Sequence, residues 1–198
     1  MIFDLPANPV AAEIKWTLRQ PSQSTRGEFT SARRVTILPQ APRWSAEVKY
    51  PTITGERRFL PWRAALARLQ GRAHAFRLVA VENPQRIPIG ATPPAIDGAG
   101  QQGSMVKTRG WVPGTALLAG WFVSFGGALY QVLNAPIAGD DGKMIVELLP
   151  QIVEGVADGT EIEATLPFAV MAMAEDAAGW TVGIGQKYDI AFACEEDR

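Results

Sequence analysis

Reactive side chains are scarce in this sequence. Among its 198 residues are one cysteine, Cys194, and one histidine, His74. A lone cysteine forms no internal disulfide, so the fold takes no stability from cross-links and a reducing compartment is expected. One histidine and one cysteine do not make any of the common zinc ligand sets. No apolar run approaches the roughly 20 residues that span a bilayer, so a membrane is not an expected partner. The opening "MIFDLPANPVAAEIKW" lacks a basic start followed by a long apolar stretch, and no secretory signal is expected. The glycine pairs in "FGGALY" and "GIGQKYD" do not follow a strand and open a helix, as a phosphate cradle requires. "GDDG" (139–142) lacks the spaced oxygens of a calcium loop, and Glu147 falls in an expected strand, so this stretch reads as a turn. Neither a cofactor nor a metal is expected. Cys194 lies in an apolar strand and reads as a packing residue. His74 reads as structural.

Hydrophobic residues make up 47% of the chain, enough to build a packed core. Net charge is −1, but it is unevenly spread: residues 1–80 carry +8 and residues 81–198 carry −9. The basic half is mostly arginine. Its arginines are scattered over several expected elements without a nucleic-acid motif, so nucleic acid is not an expected partner. Contact between the basic half of one copy and the acidic half of another is the functional alternative to two solvated faces. The expected carriers are Arg33, Arg34, Arg57 and Arg58 on one side, and Asp140, Asp141 and Asp158 on the other. The carboxylates Asp140–Asp141 and Glu195–Glu196–Asp197 fall in turns and tail, leaving a glycosidase pair as a weaker alternative. Six tryptophans suit core and interface packing, with sugar stacking as the alternative.

Short strands dominate the reading. Expected strands cover 12–18, 33–38, 43–50, 74–81, 104–111, 143–149, 160–166, 168–174, 180–184 and 188–194. In the strand at 43–50, Trp44, Ala46 and Val48 share one face, while Ser45, Glu47 and Lys49 share the other. "RQPSQSTRGEF" (19–29) reads as a polar loop. "PWRAALARLQ" predicts a helix at about 61–70. Pro61 is placed at its first position, Trp62, Leu66 and Leu69 on one face, and Gly71 as its C-terminal cap. "WFVSFGGALYQVLNAPIAGDDGKMIVELLP" predicts a three-stranded meander over Trp121–Phe125, Leu129–Leu133 and Lys143–Leu149. Gly126–Gly127 forms its tight turn and Pro150 ends its last strand. The Pro- and Gly-rich stretch 83–103 reads as a linker or arm. The expected fold is mainly β: an N-terminal β-sandwich with one packed helix (1–82), the linker (83–103), and a second antiparallel β domain, sandwich or barrel (104–198).

A set of spaced Trp, Gly and Pro positions goes further. "SQSTRGEF" follows a tryptophan strand, "RW" opens the next, and "PWRAALARLQGRAHAFRL" comes after it. "GAGQQG", "TRGWVPG" and "GALYQV" with a later "DDGK" complete the pattern. Over roughly residues 14–170 this resembles a family of prophage and siphophage tail proteins organised like distal tail proteins. The resemblance carries no catalytic signature. It implies a non-enzymatic virion structural protein, made in the cytoplasm of a bacterial host, that forms a homo-oligomeric ring. The implied neighbours are the tail tube on one side and tip or fibre proteins on the other. A host-surface carbohydrate-binding module of a tail or baseplate is the alternative, and a tail-associated hydrolase a third.

Overall fold

The computed structural model describes residues 1–26, 31–37, 42–88 and 90–197. Its strands, in chain order, are β1 (Ile2–Asp4), β2 (Glu13–Arg19), β3 (Ser22–Arg26), β4 (Arg33–Ile37), β5 (Arg43–Lys49) and β6 (Ile53–Thr54). Helix α1 (Glu56–Leu69) follows, then β7 (Ala75–Val79), β8 (Ala95–Ile96), β9 (Gln101–Arg109), β10 (Phe122–Phe125), β11 (Ala128–Val132) and β12 (Met144–Val156). The last four are β13 (Phe168–Met173), β14 (Thr181–Gly183), β15 (Lys187–Asp189) and β16 (Ala191–Glu196). The protein is mainly β, with a single helix among the described residues.

The chain forms two compact units. The first joins Met1–Thr17, Trp44–Ala80 and Phe168–Arg198; the second joins Leu18–Arg43 and Val81–Pro167. The chain leaves the first unit near residue 80 and returns to it at 168, so residues 104–198 are divided between the two units. The reason is strand pairing. The first unit's six-stranded sheet runs β1-β7-β13-β16-β5-β2, so strands from the end of the chain fill its middle. A three-stranded sheet, β14-β15-β6, completes this unit. Residues 83–103 are not a free linker either. Gln85 is buried. Its side-chain amide donates to Phe122 O at 2.8 Å and its Oε1 accepts from Phe122 N at 2.9 Å, as a neighbouring strand would. β8 and the start of β9 also lie in this stretch.

In the first unit, β5 buries Trp44, Ala46 and Val48 and exposes Glu47 and Lys49, as its alternation predicts. Helix α1 covers this core with Phe59, Trp62, Leu66 and Leu69, each at most 2% exposed. Tyr50 packs on Trp62 with ring centroids 4.2 Å apart, and Phe59 stacks on Tyr188 at 4.3 Å. The helix starts five residues before Pro61, which lies inside it. A proline there forgoes the bond to the carbonyl of Arg57. That loss is outweighed because the extra turn adds Phe59 to the buried stripe. Gln70 caps the end in the left-handed region, and Gly71 follows at φ 66°. A side chain at 71 would strike the backbone carbonyl of Asp176, so this position is closed to anything larger.

The second unit holds the five-stranded sheet β10-β11-β12-β9-β8. The meander forms as its sequence predicts, with Phe122 opposite Gln131 and Phe125 opposite Ala128. Gly126 and Gly127 both take positive φ, 61° and 82°, the geometry of a two-residue type I′ turn. β12 does not stop at Pro150. Its pairing with β9 shifts register between Glu147 and Ile152, and a proline sits there without breaking a ladder bond. Residues 160–166 make only isolated bridges, Glu161 to Ala95 and Glu163 to Ser124, instead of the expected strand. "SQSTR" is a strand where a loop was expected: β3 pairs with β4, Ser22 opposite Ile37 and Arg26 opposite Arg33. Residues 27–29 of that expected loop, and Leu38, lie outside the described residues.

Candidate functional site

Charged side chains supply the first candidates. Arg33 and Arg34 are exposed on β4, and every described side chain of β3 is exposed too. Arg26 stands directly opposite Arg33, a like-charge pairing that weakens a ladder. Arg57 and Arg58 are exposed in the first turn of α1. Asp140 and Asp141 are exposed in the turn after Gly139. That turn is closed by Gly139 N donating to Lys143 O at 2.9 Å, with Lys143 N donating to Asp141 Oδ1 at 3.1 Å. The structure thus places the arginines on two separate elements, β4 and α1.

Asp158 differs from the other expected carriers because it is ion-paired within its own chain. Its carboxylate accepts from Arg109 at 2.8 and 3.1 Å and from Gly98 N at 2.7 Å. Arg109 also donates to Asp97 at 3.0 Å, and Lys143 Nζ donates to Asp97 at 2.9 Å. This four-residue network ties the end of β9 to the turn before it and to the segments before and after β12. The Lys143 ammonium, and then the Arg109 guanidinium, hold the Asp97 carboxyl below the ordinary 3.8. The Gly98 amide, and then Arg109, do the same for Asp158. Sequence spacing gave no sign of the network, because Asp97, Arg109, Lys143 and Asp158 meet only through strand pairing.

A groove of about 450 Å³ opens on the first unit. Glu13, Lys15, Glu47, Lys49 and Glu175 line it, and Ala191 and Ala193 form part of its wall. Strand register explains the space: Ala191 pairs with Lys49 and Ala193 with Glu47, so methyl groups stand beside long side chains. Lys15 Nζ meets Glu47 at 3.1 Å. The surface therefore offers carboxylate acceptors and ammonium donors side by side.

A second feature is the exposed apolar face of the β14–β15 hairpin. Trp180, Val182 and Ile184 alternate along it and are exposed by 39, 57 and 98%. Trp180 packs on Phe59 at 5.3 Å, and the Arg63 guanidinium lies 5.8 Å from the Trp180 ring. The signal was present in "WTVGIG" as an alternating apolar stretch running into a glycine turn. What the sequence could not reveal is that no described element covers its outer end.

The two residues with reactive potential are placed as packing groups. Cys194 is buried and its thiol donates to Ala46 O at 3.5 Å. Burial pushes that thiol up to about 12, far from a nucleophile's range. His74 stands edge-on to Phe3 at 5.5 Å. Among the described residues no three His, Cys, Asp or Glu side chains converge on a point that would hold a metal. Compared with known protein families and with curated proteins, the chain matches no family model and no curated sequence.

Proposed function

We propose that the chain is a structural subunit, without enzymatic activity, that joins copies of itself into a ring at the distal end of a phage tail. Its sequence resemblance to tail proteins supplies the setting: tail tube on one side, tip or fibre proteins on the other. The observation that carries the reading is unpartnered surface charge of both signs. Arg33, Arg34, Arg57, Arg58 and Asp140 are exposed and have no ion-pair partner among the described residues. Such charges suit contact with a surface of opposite sign, and the two halves of this chain carry net charge of opposite sign, +8 and −9. The test is solution mass by light scattering with negative-stain imaging. A multiple of the 21.4 kDa chain mass in annular particles is expected. A single-chain mass at every concentration overturns the proposal.

A second reading, a carbohydrate-binding module, is favoured by the groove at Glu13, Lys15, Glu47, Lys49 and Glu175, whose donors and acceptors match sugar hydroxyls. Glycan-array binding by a monomer, abolished by Glu47→Ala, would select it over the ring.

A further inference from the structure

We infer that assembly uses a head-to-tail contact. The Val182–Ile184 hairpin tip of one copy, with Arg57 and Arg58 beside it, seats on the Leu118–Ile137 surface of the next copy beside Asp140 and Asp141. The inference rests on the reading that the chain assembles with itself, and it names the surfaces that meet.

The donor surface is apolar, rigid and basic. Ile184 is 98% exposed and Val182 57%, and both lie on the side of β14 that begins at Trp180. The turn that displays Ile184 is fixed. Gly185 and Gln186 hold positive φ, 79° and 56°. Gly55 N donates to Gln186 O at 3.0 Å, and Glu56 N donates to its Oε1 at 3.4 Å. These bonds tie the tip to the start of α1, and so bring Arg57 and Arg58 alongside it. An anchor already held in place loses little freedom on docking. Val182 also lies on an edge: β14 is the outer strand of its three-stranded sheet, where backbone groups are open to a neighbour.

The receiving surface is apolar and acidic. Ile137 is 67% exposed and Leu118 53%. Ile137 pairs with Ala116 in an antiparallel bridge. Leu117 and Ala138 turn inward from the same segments and are buried, which leaves Leu118 and Ile137 outward. Asp140 and Asp141 follow within four residues of Ile137. Asp140 has no partner among the described residues.

Charge decides which surface meets which. Each patch presents two aliphatic anchors and two like charges; Glu56, beside the tip, is held by Arg63 at 3.4 Å. A two-fold contact of either patch with itself would set arginine against arginine, or aspartate against aspartate. Only the pairing of unlike patches satisfies both the apolar and the charged groups. Such a contact is heterologous, the kind that builds a ring where its rotation closes.

The experiment uses the whole chain in two charge-reversed variants, R57E/R58E and D140K/D141K, read by sedimentation velocity. The wild type is expected as an oligomer and each variant alone at single-chain mass, because its two patches now repel. An equimolar mixture of the variants should regain the oligomer, since each variant's tip then meets an unlike patch on the other. Ile184→Asp, at a residue already almost fully exposed, should also lower the mass while far-UV circular dichroism and melting stay unchanged. Variants that keep the wild-type mass, or a mixture that stays at single-chain mass, overturn this contact and leave the ring reading standing. A wild type at single-chain mass overturns the ring reading itself. Binding of wild type to phosphatidylcholine–phosphatidylserine vesicles, with mass unaffected in all variants, would assign the tip to a lipid surface instead.

Discussion

Leu66 shows what one buried side chain does here. It is 2% exposed and sits between Trp62 and Leu69 on the apolar stripe of α1. Leu66→Ala removes packed methyl groups that the surrounding rings cannot follow. A loss of about 2–5 kcal/mol is expected, the range for a core leucine, measured by urea denaturation. A change below about 0.5 kcal/mol would mark a surface position. Cys194 gives a second residue-scale expectation. With its thiol buried and raised to about 12, the native protein should resist an aromatic disulfide reagent at mildly alkaline pH. Modification should proceed only as fast as the chain unfolds. Rapid labelling of the native state would show that this strand opens on its own.

The network of Asp97, Arg109, Lys143 and Asp158 acts at the scale of the element, holding the end of β9 to the turn before it and to the segments before and after β12. Both carboxyls are depressed in the folded state, so the unfolded chain takes up their protons first as pH falls. Their contribution is present above the ordinary carboxylate value of 3.8 and is lost as pH drops through the lower folded values. Asp97→Asn should therefore lower the melting temperature near neutral pH, and the gap from wild type should shrink in strong acid. An unchanged gap would mean that the ion pairs are incidental. Legibility also varied by element. The Phe122–Val132 hairpin announced itself through alternation and a glycine pair. The buried face of α1 was readable from Trp62, Leu66 and Leu69, though its start was not, because Pro61 looked like a first residue and was an interior one. β3 was invisible because "SQSTR" buries nothing, so no alternation marks it. Alternation assigns faces, not partners, so neither the order β7-β13-β16-β5 nor the meeting of Asp97 with Arg109 was within its reach. The candidate charges were legible as residues. Their separation onto different elements, and the commitment of Asp158 within its own chain, were not.

For the whole molecule, the opposite charge of residues 1–80 and 81–198 predicts salt-sensitive assembly. Exposed pairs contribute only about 0–1 kcal/mol each, yet several acting together bias encounter and register. At 1 M salt the screening length falls to about 3 Å. The oligomer should form more slowly and dissociate more readily in high than in low NaCl, compared by sedimentation velocity at matched concentration. Assembly indifferent to salt would leave the charge split to solvation. The sheet order β1-β7-β13-β16-β5-β2 has a different consequence, for how the protein is made. A ribosome delivers β5, α1 and β7 long before β13 and β16, the strands that must lie between β5 and β7. The strands β8 to β12 form a sheet of their own, and it is complete before β13 and β16 emerge. Until then the nascent chain carries two open strand edges and an uncovered helix face, a state that invites association with other unfinished chains. A message cut short after residue 167 would yield a chain in which 81–167 resists proteolysis while 44–80 is digested.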